Sequence, residues 1–180
     1  MQDENIYFKV VSLLLQYPDE AYIGALPELK SVVDEIHRGQ CRAAIEAFIA
    51  DVEIRSVLQL QERYTAIFDM SPSTTLNITY HLWGDGEKRA RLLTRLQQMY
   101  AFAGFERTTA ELPDFLPLML EFMAAVPEAR MSETIAQCVK GLETVVDRLR
   151  EIAPPYAALL SPLADIFKDQ TWEQTETGAK

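Results

Sequence analysis

Two stretches of the chain concentrate side chains that could bind a ligand or react. Residues 69–85 join a turn-rich segment to the aromatic run Tyr80-His81-Leu82-Trp83-Gly84-Asp85. Residues 111–121 carry Asp114 and Glu121, which are seven positions apart in an apolar stretch. Two helical turns would place both carboxylates on one face, where they need internal arginines or a basic ligand. Alternatively, Asp114 is the N-cap of a helix whose first turn contains Pro117.

A basic cluster in the middle of the chain is a second candidate site. Lys88, Arg89, Arg91 and Arg95 lie at the start of one predicted helix, which Asp85 would cap. Arg91 and Arg95 share a face of that helix. The cluster either forms surface ion pairs with neighbouring acids or contacts the phosphates of a nucleotide-containing cofactor. The aromatic run has a similar alternative, because Tyr80 and Trp83 could simply fill the core.

Groups for covalent, metal or nucleotide chemistry are few. The two histidines, His37 and His81, do not have the spacing of metal ligands. Cys41 and Cys138 form no CxxC pair, and we expect them to be buried free thiols. The sequence has no nucleophile elbow and no glycine-rich phosphate loop. A pair of catalytic carboxylates stays open, since acidic residues are plentiful. The sequence therefore gives no positive case for an enzyme and predicts no metal site.

The net charge of the chain indicates which kinds of partner it can bind. The 180-residue chain has a formal net charge of −10. Such a surface repels nucleic acid and anionic lipid and favours a basic peptide, although it could serve solubility alone. The acidic first residues do not resemble a secretory signal, and the apolar runs are too short to cross a bilayer. We expect a cytoplasmic protein with no stable membrane association and no nucleic-acid partner.

The elements that must position these residues are helical throughout. Apolar residues recur at helical spacing, which predicts an all-α, single-domain bundle of about eight helices over residues 1–168, and a polar, frayed tail at 169–180. Pro27 is predicted to open the second helix and Gly39 to end it. Residues 56–69 and 131–151 are each predicted to form one helix. Residues 76–83 are predicted to be irregular or a short helix, because a lone strand has no partner.

The two chemically rich stretches resemble one known family. Residues 68–76 and 79–85, then 100–105 and 111–122, are similar to the NarJ family of nitrate reductase assembly chaperones, within the wider TorD/DmsD group. The resemblance extends from about Ile6 to Phe167. One departure concerns the acidic motif, where Asp114 is followed by Phe115 rather than by the histidine of the wider group. Any role of that histidine therefore does not transfer to this chain.

The resemblance implies a function and a partner. Such chaperones bind the amino-terminal segment of the catalytic subunit of a molybdoenzyme, here nitrate reductase, and hold the apoenzyme while bis-molybdopterin guanine dinucleotide is inserted, before membrane docking. We expect no permanently bound cofactor, transient contact with that cofactor through Arg89, Arg91 or Arg95, and a monomer or weak homodimer. The expected peptide-binding residues are Tyr64, Phe68, Ser71, Pro72, Tyr80, His81, Trp83, Asp85, Glu111, Pro113, Asp114, Phe115 and Glu121.

In this hypothesis an apolar groove receives one face of a helical peptide, and the acidic residues attract its basic side chains. Three alternatives remain open on the sequence. The client could be another molybdoenzyme, of the dimethyl sulfoxide or selenate reductase type. The chain could instead be a nucleotide hydrolase that uses scattered carboxylates, or a purely structural helical adaptor.

Overall fold

The predicted all-α fold is confirmed by the computed structural model, which describes residues 2–106 and 110–177, with side chains for 3–106 and 110–168. Within these residues, short π- and 3₁₀-helical segments at Thr65–Asp69 and Pro127–Met131 accompany ten α-helices. The helices are α1 (Gln2–Leu14), α2 (Glu20–Val33), α3 (Gly39–Glu53), α4 (Val57–Tyr64), α5 (Tyr80–Trp83), α6 (Glu87–Phe102), α7 (Leu116–Ala125), α8 (Glu133–Val139), α9 (Leu142–Ile152) and α10 (Pro154–Thr177).

Helix α1 lies at the centre of the bundle. It packs most extensively against α7 and also contacts α2, α3 and α10. Tyr7 and Phe8 are fully buried, and the Tyr7 hydroxyl donates a hydrogen bond to the Leu159 carbonyl of α10 at 2.7 Å. Helix α7 is buried on almost every side, as its continuous apolar sequence predicts. Cys41 and Cys138 are buried free thiols, which confirms their predicted state.

The predicted boundaries of the second helix were wrong at both ends. Asp19 is the N-cap of α2, and its side chain accepts a hydrogen bond from the Tyr22 amide at 2.8 Å. Pro27 lies inside this helix, and Gly39 begins α3 rather than ending α2. The capping aspartate therefore determines where the helix starts, and the proline is tolerated about two turns further along.

The predicted helix over residues 131–151 is two helices, α8 and α9. The break falls at the buried Gly141, where an added Cβ would lie 2.3 Å from the Ile78 carbonyl oxygen. A continuous helix with a side chain at this position would exclude the segment that contains Ile78. The division and the one-turn helix α5 account for the two helices beyond the eight predicted.

The remaining predictions for the bundle concern its ends and its irregular segment. Residues 56–69 form α4 followed by the π-helical turn, with a capping box between Ser56 and Gln59. Residues 76–83 are irregular and end in the short helix α5, as predicted. The backbone of α10 is helical to Thr177. The side chains after Lys168, and residues 178–180, lie outside the described part of the chain, so the frayed tail stays a prediction.

Candidate functional site

Two adjoining cavities form a single groove on the surface of the bundle. Their volumes are about 510 and 330 Å³, and they share Phe68, Asp69, Thr75 and Asn77. The other lining residues of the larger cavity are Gln16, Tyr17, Tyr64, Leu76, Glu111, Phe115, Leu118 and Glu121. The other lining residues of the smaller cavity are Ser71, Pro72, Tyr80, Asp85, Arg89 and Leu112. We refer to both cavities together as the groove.

The floor of the groove is an irregular segment held between helices. The Leu116 amide donates to the Leu76 carbonyl at 2.8 Å, and the Ile78 amide donates to the Asp114 carbonyl at 3.1 Å. These bonds form an isolated antiparallel bridge between Asn77 and Phe115. The segment thus joins the start of α7 without belonging to a sheet. This pairing explains why residues 76–83 have strand-like composition yet form no strand.

Aromatic rings form the apolar wall. The Tyr64 ring lies 5.6 Å from that of Tyr17 and 5.0 Å from that of Phe68, in edge-to-face arrangements. The Tyr64 hydroxyl donates to the Leu15 carbonyl at 3.1 Å, which fixes the ring. Burial raises the pKa of Tyr64, so this hydroxyl stays neutral. The wall is therefore uncharged, and a hydrogen bond holds its central ring, Tyr64, in place.

Carboxylates border this aromatic wall. Asp69, Glu111 and Glu121 line the larger cavity, and Asp69 and Asp85 line the smaller one. The Glu121 carboxylate lies 2.6 Å from the Lys9 ammonium nitrogen. The single basic residue that lines the groove in the described part of the chain is Arg89. A groove of this composition suits an apolar segment that carries positive charge.

The charge of Arg89 is already matched by a buried carboxylate behind the groove. Asp114 is 0% exposed, and the Arg89 guanidinium donates to it through Nε at 3.3 Å and Nη2 at 3.1 Å. The Thr79 hydroxyl also donates to Asp114. On the outer side, Arg89 donates to Asp85 at 2.9 Å and lies over the Tyr80 ring at 5.6 Å. We call these five residues the Arg89 network.

The Arg89 network corrects three predictions. Phe115, rather than Asp114, is the N-cap of α7. Asp114 therefore precedes the helix and shares no helical face with Glu121. Gly86, rather than Asp85, is the N-cap of α6, because the Asp85 carboxylate accepts from Arg89 instead of from backbone amides. With the N-cap role excluded, an internal arginine and a basic ligand were the interpretations left for Asp114, and its carboxylate pairs with the internal Arg89.

Nine of the thirteen expected peptide-binding residues line the groove. The other four, His81, Trp83, Pro113 and Asp114, are not among its lining residues in the described part of the chain. His81 donates through Nε2 to the Thr75 carbonyl at 2.8 Å, and its Nδ1 lies 3.1 Å from an Arg148 guanidinium nitrogen. Since Nε2 carries the proton, Nδ1 accepts from Arg148. Burial is the main cause that lowers the pKa of His81.

Other members of the basic cluster have different surroundings from Arg89. Arg91 and Arg95 are exposed on α6, and Arg91 pairs with Glu87 one turn before it. The described residues hold no group of three or more His, Cys, Asp or Glu arranged to bind a metal ion. In the same part of the chain, no helix combines the length and apolarity needed to cross a membrane.

Sequence reasoning missed several lining residues, including Tyr17, Asp69, Asn77 and Leu118. Asp69 is the first residue of the chemically rich stretch 69–85, so its position offered a signal although it was not among the expected peptide-binding residues. Tyr17 offered none, because it reaches the groove through the packing of the α1–α2 connection beside α4. The buried Oδ1 of Asn77 has no hydrogen-bond partner in the described part of the chain.

The fold is shared with a solved structure that is distant in sequence. A crystal structure described as a redox enzyme maturation protein from Archaeoglobus fulgidus aligns with a TM-score of 0.62. The alignment covers 91% of this chain and 93% of that one at 19% sequence identity, which establishes a shared fold. The family model of the nitrate reductase delta subunit matches residues 27–161. The chain belongs to this family.

Curated relatives from two bacteria agree with that assignment. The "Probable nitrate reductase molybdenum cofactor assembly chaperone NarJ" of Bacillus subtilis is 34% identical over 98% of this chain and 96% of its own length. The nitrate reductase molybdenum cofactor assembly chaperone NarJ of Escherichia coli K12 is 28% identical over 86% of this chain and 66% of its own length. The resemblance to the NarJ family seen in the sequence is thereby confirmed.

Proposed function

We propose that this chain is a system-specific chaperone for the catalytic subunit of a respiratory nitrate reductase. It binds the amino-terminal segment of that subunit in the cytoplasm and holds the apoenzyme until the molybdenum cofactor is inserted, before membrane docking. The names of its relatives support the assembly role and are consistent with a protein that is not an enzyme. They also favour nitrate reductase over other molybdoenzymes as the client.

The groove is the observation that carries the binding part of the proposal. Its larger cavity, of about 510 Å³, has an aromatic wall formed by Tyr17, Tyr64 and Phe68 and a border of carboxylates. An amphipathic helix can lay its apolar side chains against such a wall while its basic residues reach Glu111 and Glu121. Association should be fast at low ionic strength and slower in salt, because charges that steer the encounter are screened.

Titration calorimetry with the amino-terminal peptide of the cognate catalytic subunit tests this proposal. The combined variant Glu111→Gln, Glu121→Gln removes two charges from the groove, and we expect it to weaken binding by about tenfold at low salt. Glu53→Gln is the matched control, because Glu53 forms a comparably exposed ion pair with Lys30 between α2 and α3. Unchanged affinity in the groove variant would refute the acidic part of the proposal.

A second variant tests the aromatic wall separately from the charge. Tyr17 is 46% exposed and lines the groove, so Tyr17→Ala removes a contact surface without opening the core. We expect this variant to bind the peptide more weakly at every salt concentration, since apolar contacts are not screened. An affinity equal to that of the unmodified protein would place the peptide elsewhere.

The arginines of α6 are the candidates for contact with the cofactor. Arg89 is poorly suited to bind a phosphate, because its guanidinium is buried and neutralised by Asp114. Arg91 and Arg95 are exposed, and guanidinium groups of this kind can pair with phosphate oxygens. We propose that these two residues, rather than all three, contact the molybdenum cofactor transiently. Cofactor recovered with the chaperone–apoenzyme complex should fall in the Arg91→Gln, Arg95→Gln variant while peptide binding is retained.

A further inference from the structure

Glu121 stands between two cavities of different character. It lines the larger cavity of the groove and also a separate cavity, outside the groove, of about 590 Å³ between α1, α2 and α7. Apolar residues of these three helices dominate this separate cavity, and Lys9 of α1 lies among them. The Lys9 ammonium reaches the Glu121 carboxylate from this side, at 2.6 Å. A carboxylate that faces the groove thus already holds a cation from the protein itself.

The backbone positions of this ion pair are fixed by the core rather than by the pair. Beside Lys9, Phe8 is fully buried, and beside Glu121, Phe122 is fully buried, so α1 and α7 are held together by apolar packing. The side chains of Lys9 and Glu121 themselves are 47% and 41% exposed. Exposed pairs of this kind add little to stability. The ammonium can therefore leave Glu121 without disturbing the helices, while its methylene chain stays against the apolar cavity.

We infer that Lys9 is an internal competitor for the basic residue of the partner at Glu121. This inference rests on the proposed function, because it assumes that a basic peptide occupies the groove. A cation that arrives at Glu121 must either displace the Lys9 ammonium or share the carboxylate with it. Lys9 thereby lowers the affinity of the groove for basic segments, and it favours those that gain enough apolar contact elsewhere in the groove.

The variant Lys9→Met tests the inference, since methionine keeps the apolar chain and removes the charge. Lys30→Met is the matched control: it removes the same charge from the Lys30–Glu53 pair, whose side chains are 48% and 47% exposed. The probe is a synthetic amphipathic peptide with leucine on one face and lysine on the other, measured by calorimetry. We expect Lys9→Met to bind about threefold more tightly than Lys30→Met. In a Glu121→Gln background, Lys9→Met should have no further effect beyond that of Lys30→Met.

The outcomes separate the inference from the proposed function. Equal affinities for Lys9→Met and Lys30→Met, or weaker binding by Lys9→Met, would overturn the competitor role and leave the groove itself intact. A thermal midpoint that falls in Lys9→Met with no gain in affinity would assign the pair a structural role instead. If the unmodified protein bound neither the synthetic peptide nor the nitrate reductase peptide, both proposals would be overturned.

Discussion

Replacing Asp114 by asparagine should destabilise the protein strongly, although the two side chains have nearly the same shape. Asp114 is 0% exposed, and Arg89, its partner, is 7% exposed. The change leaves a buried guanidinium without its matching charge. Breaking a buried pair from one side typically costs about 3–5 kcal/mol. Because Asp85 still holds the outer end of Arg89, we expect the lower end of this range, about 3 kcal/mol.

Urea and thermal denaturation measure this loss directly. For a chain of this length, about 3 kcal/mol corresponds to a fall in the thermal midpoint of about 6–12 °C. The control is Glu87→Gln, which removes the acidic partner of Arg91 from an exposed pair on the same helix. We expect the control to leave the midpoint nearly unchanged, because water solvates both groups once the pair is broken.

A double-mutant cycle with Arg89→Met isolates the interaction. Removing both charges leaves no buried ion, so the loss in the double variant should be smaller than the sum of the single losses by about 2 kcal/mol or more. Additive losses, or a loss below about 1 kcal/mol for Asp114→Asn alone, would contradict a desolvated pair. Such a result would also reopen a direct contact between Asp114 and the peptide.

Three further predictions follow from the same geometry. Gly141→Ala should cost about 3 kcal/mol of unfolding free energy in urea, because its Cβ would meet the Ile78 carbonyl oxygen at 2.3 Å; Gly24→Ala, which meets no atom within 4 Å, should instead be neutral or stabilising. The lowered pKa of His81 means that the unfolded chain takes up its proton first, so this contribution to stability is lost as pH falls from about 6.5 towards the folded-state pKa. Unfolding titrations at several pH values should show this loss, and His81→Ala should flatten it; a parallel pH dependence in both proteins contradicts it. Asp69→Asn should weaken the salt dependence of peptide association in stopped-flow measurements, and an unchanged salt slope would show that this carboxylate does not steer the peptide.

The sequence predicted the helical class well, whereas it left the exact location of the groove open. Helical class depends on the spacing of apolar residues along the chain, which is a local property. Seven of the nine expected residues that line the groove belong to the two chemically rich stretches, residues 69–85 and 111–121, which pair with each other through Asn77 and Phe115. The other two, Tyr64 and Phe68, precede the first stretch. Helix boundaries were less predictable: Pro27 and Gly39 were each assigned a terminal role that Asp19 and the packing of α3 exclude.

The break at Gly141 shows why one long helix could not be distinguished from two. Its neighbours have continuous helical periodicity, and only the approach of the Ile78 carbonyl requires a glycine there. That contact joins positions far apart in sequence. No periodicity records such a contact, so the sequence offers no local signal for it.

The carboxylates show most clearly what the sequence and the tertiary structure each determined. By itself, the sequence established that the chain is acidic and helical and that it carries the two motif stretches that resemble the NarJ family. Only the tertiary structure decided that Asp114 neutralises Arg89 inside the protein. It likewise decided that Glu121 lines the groove and pairs with Lys9, a residue 112 positions away. The physical reason is desolvation. A buried carboxylate needs an internal cation or hydrogen-bond donors, whereas water can solvate an exposed one, and burial is set by how distant helices pack.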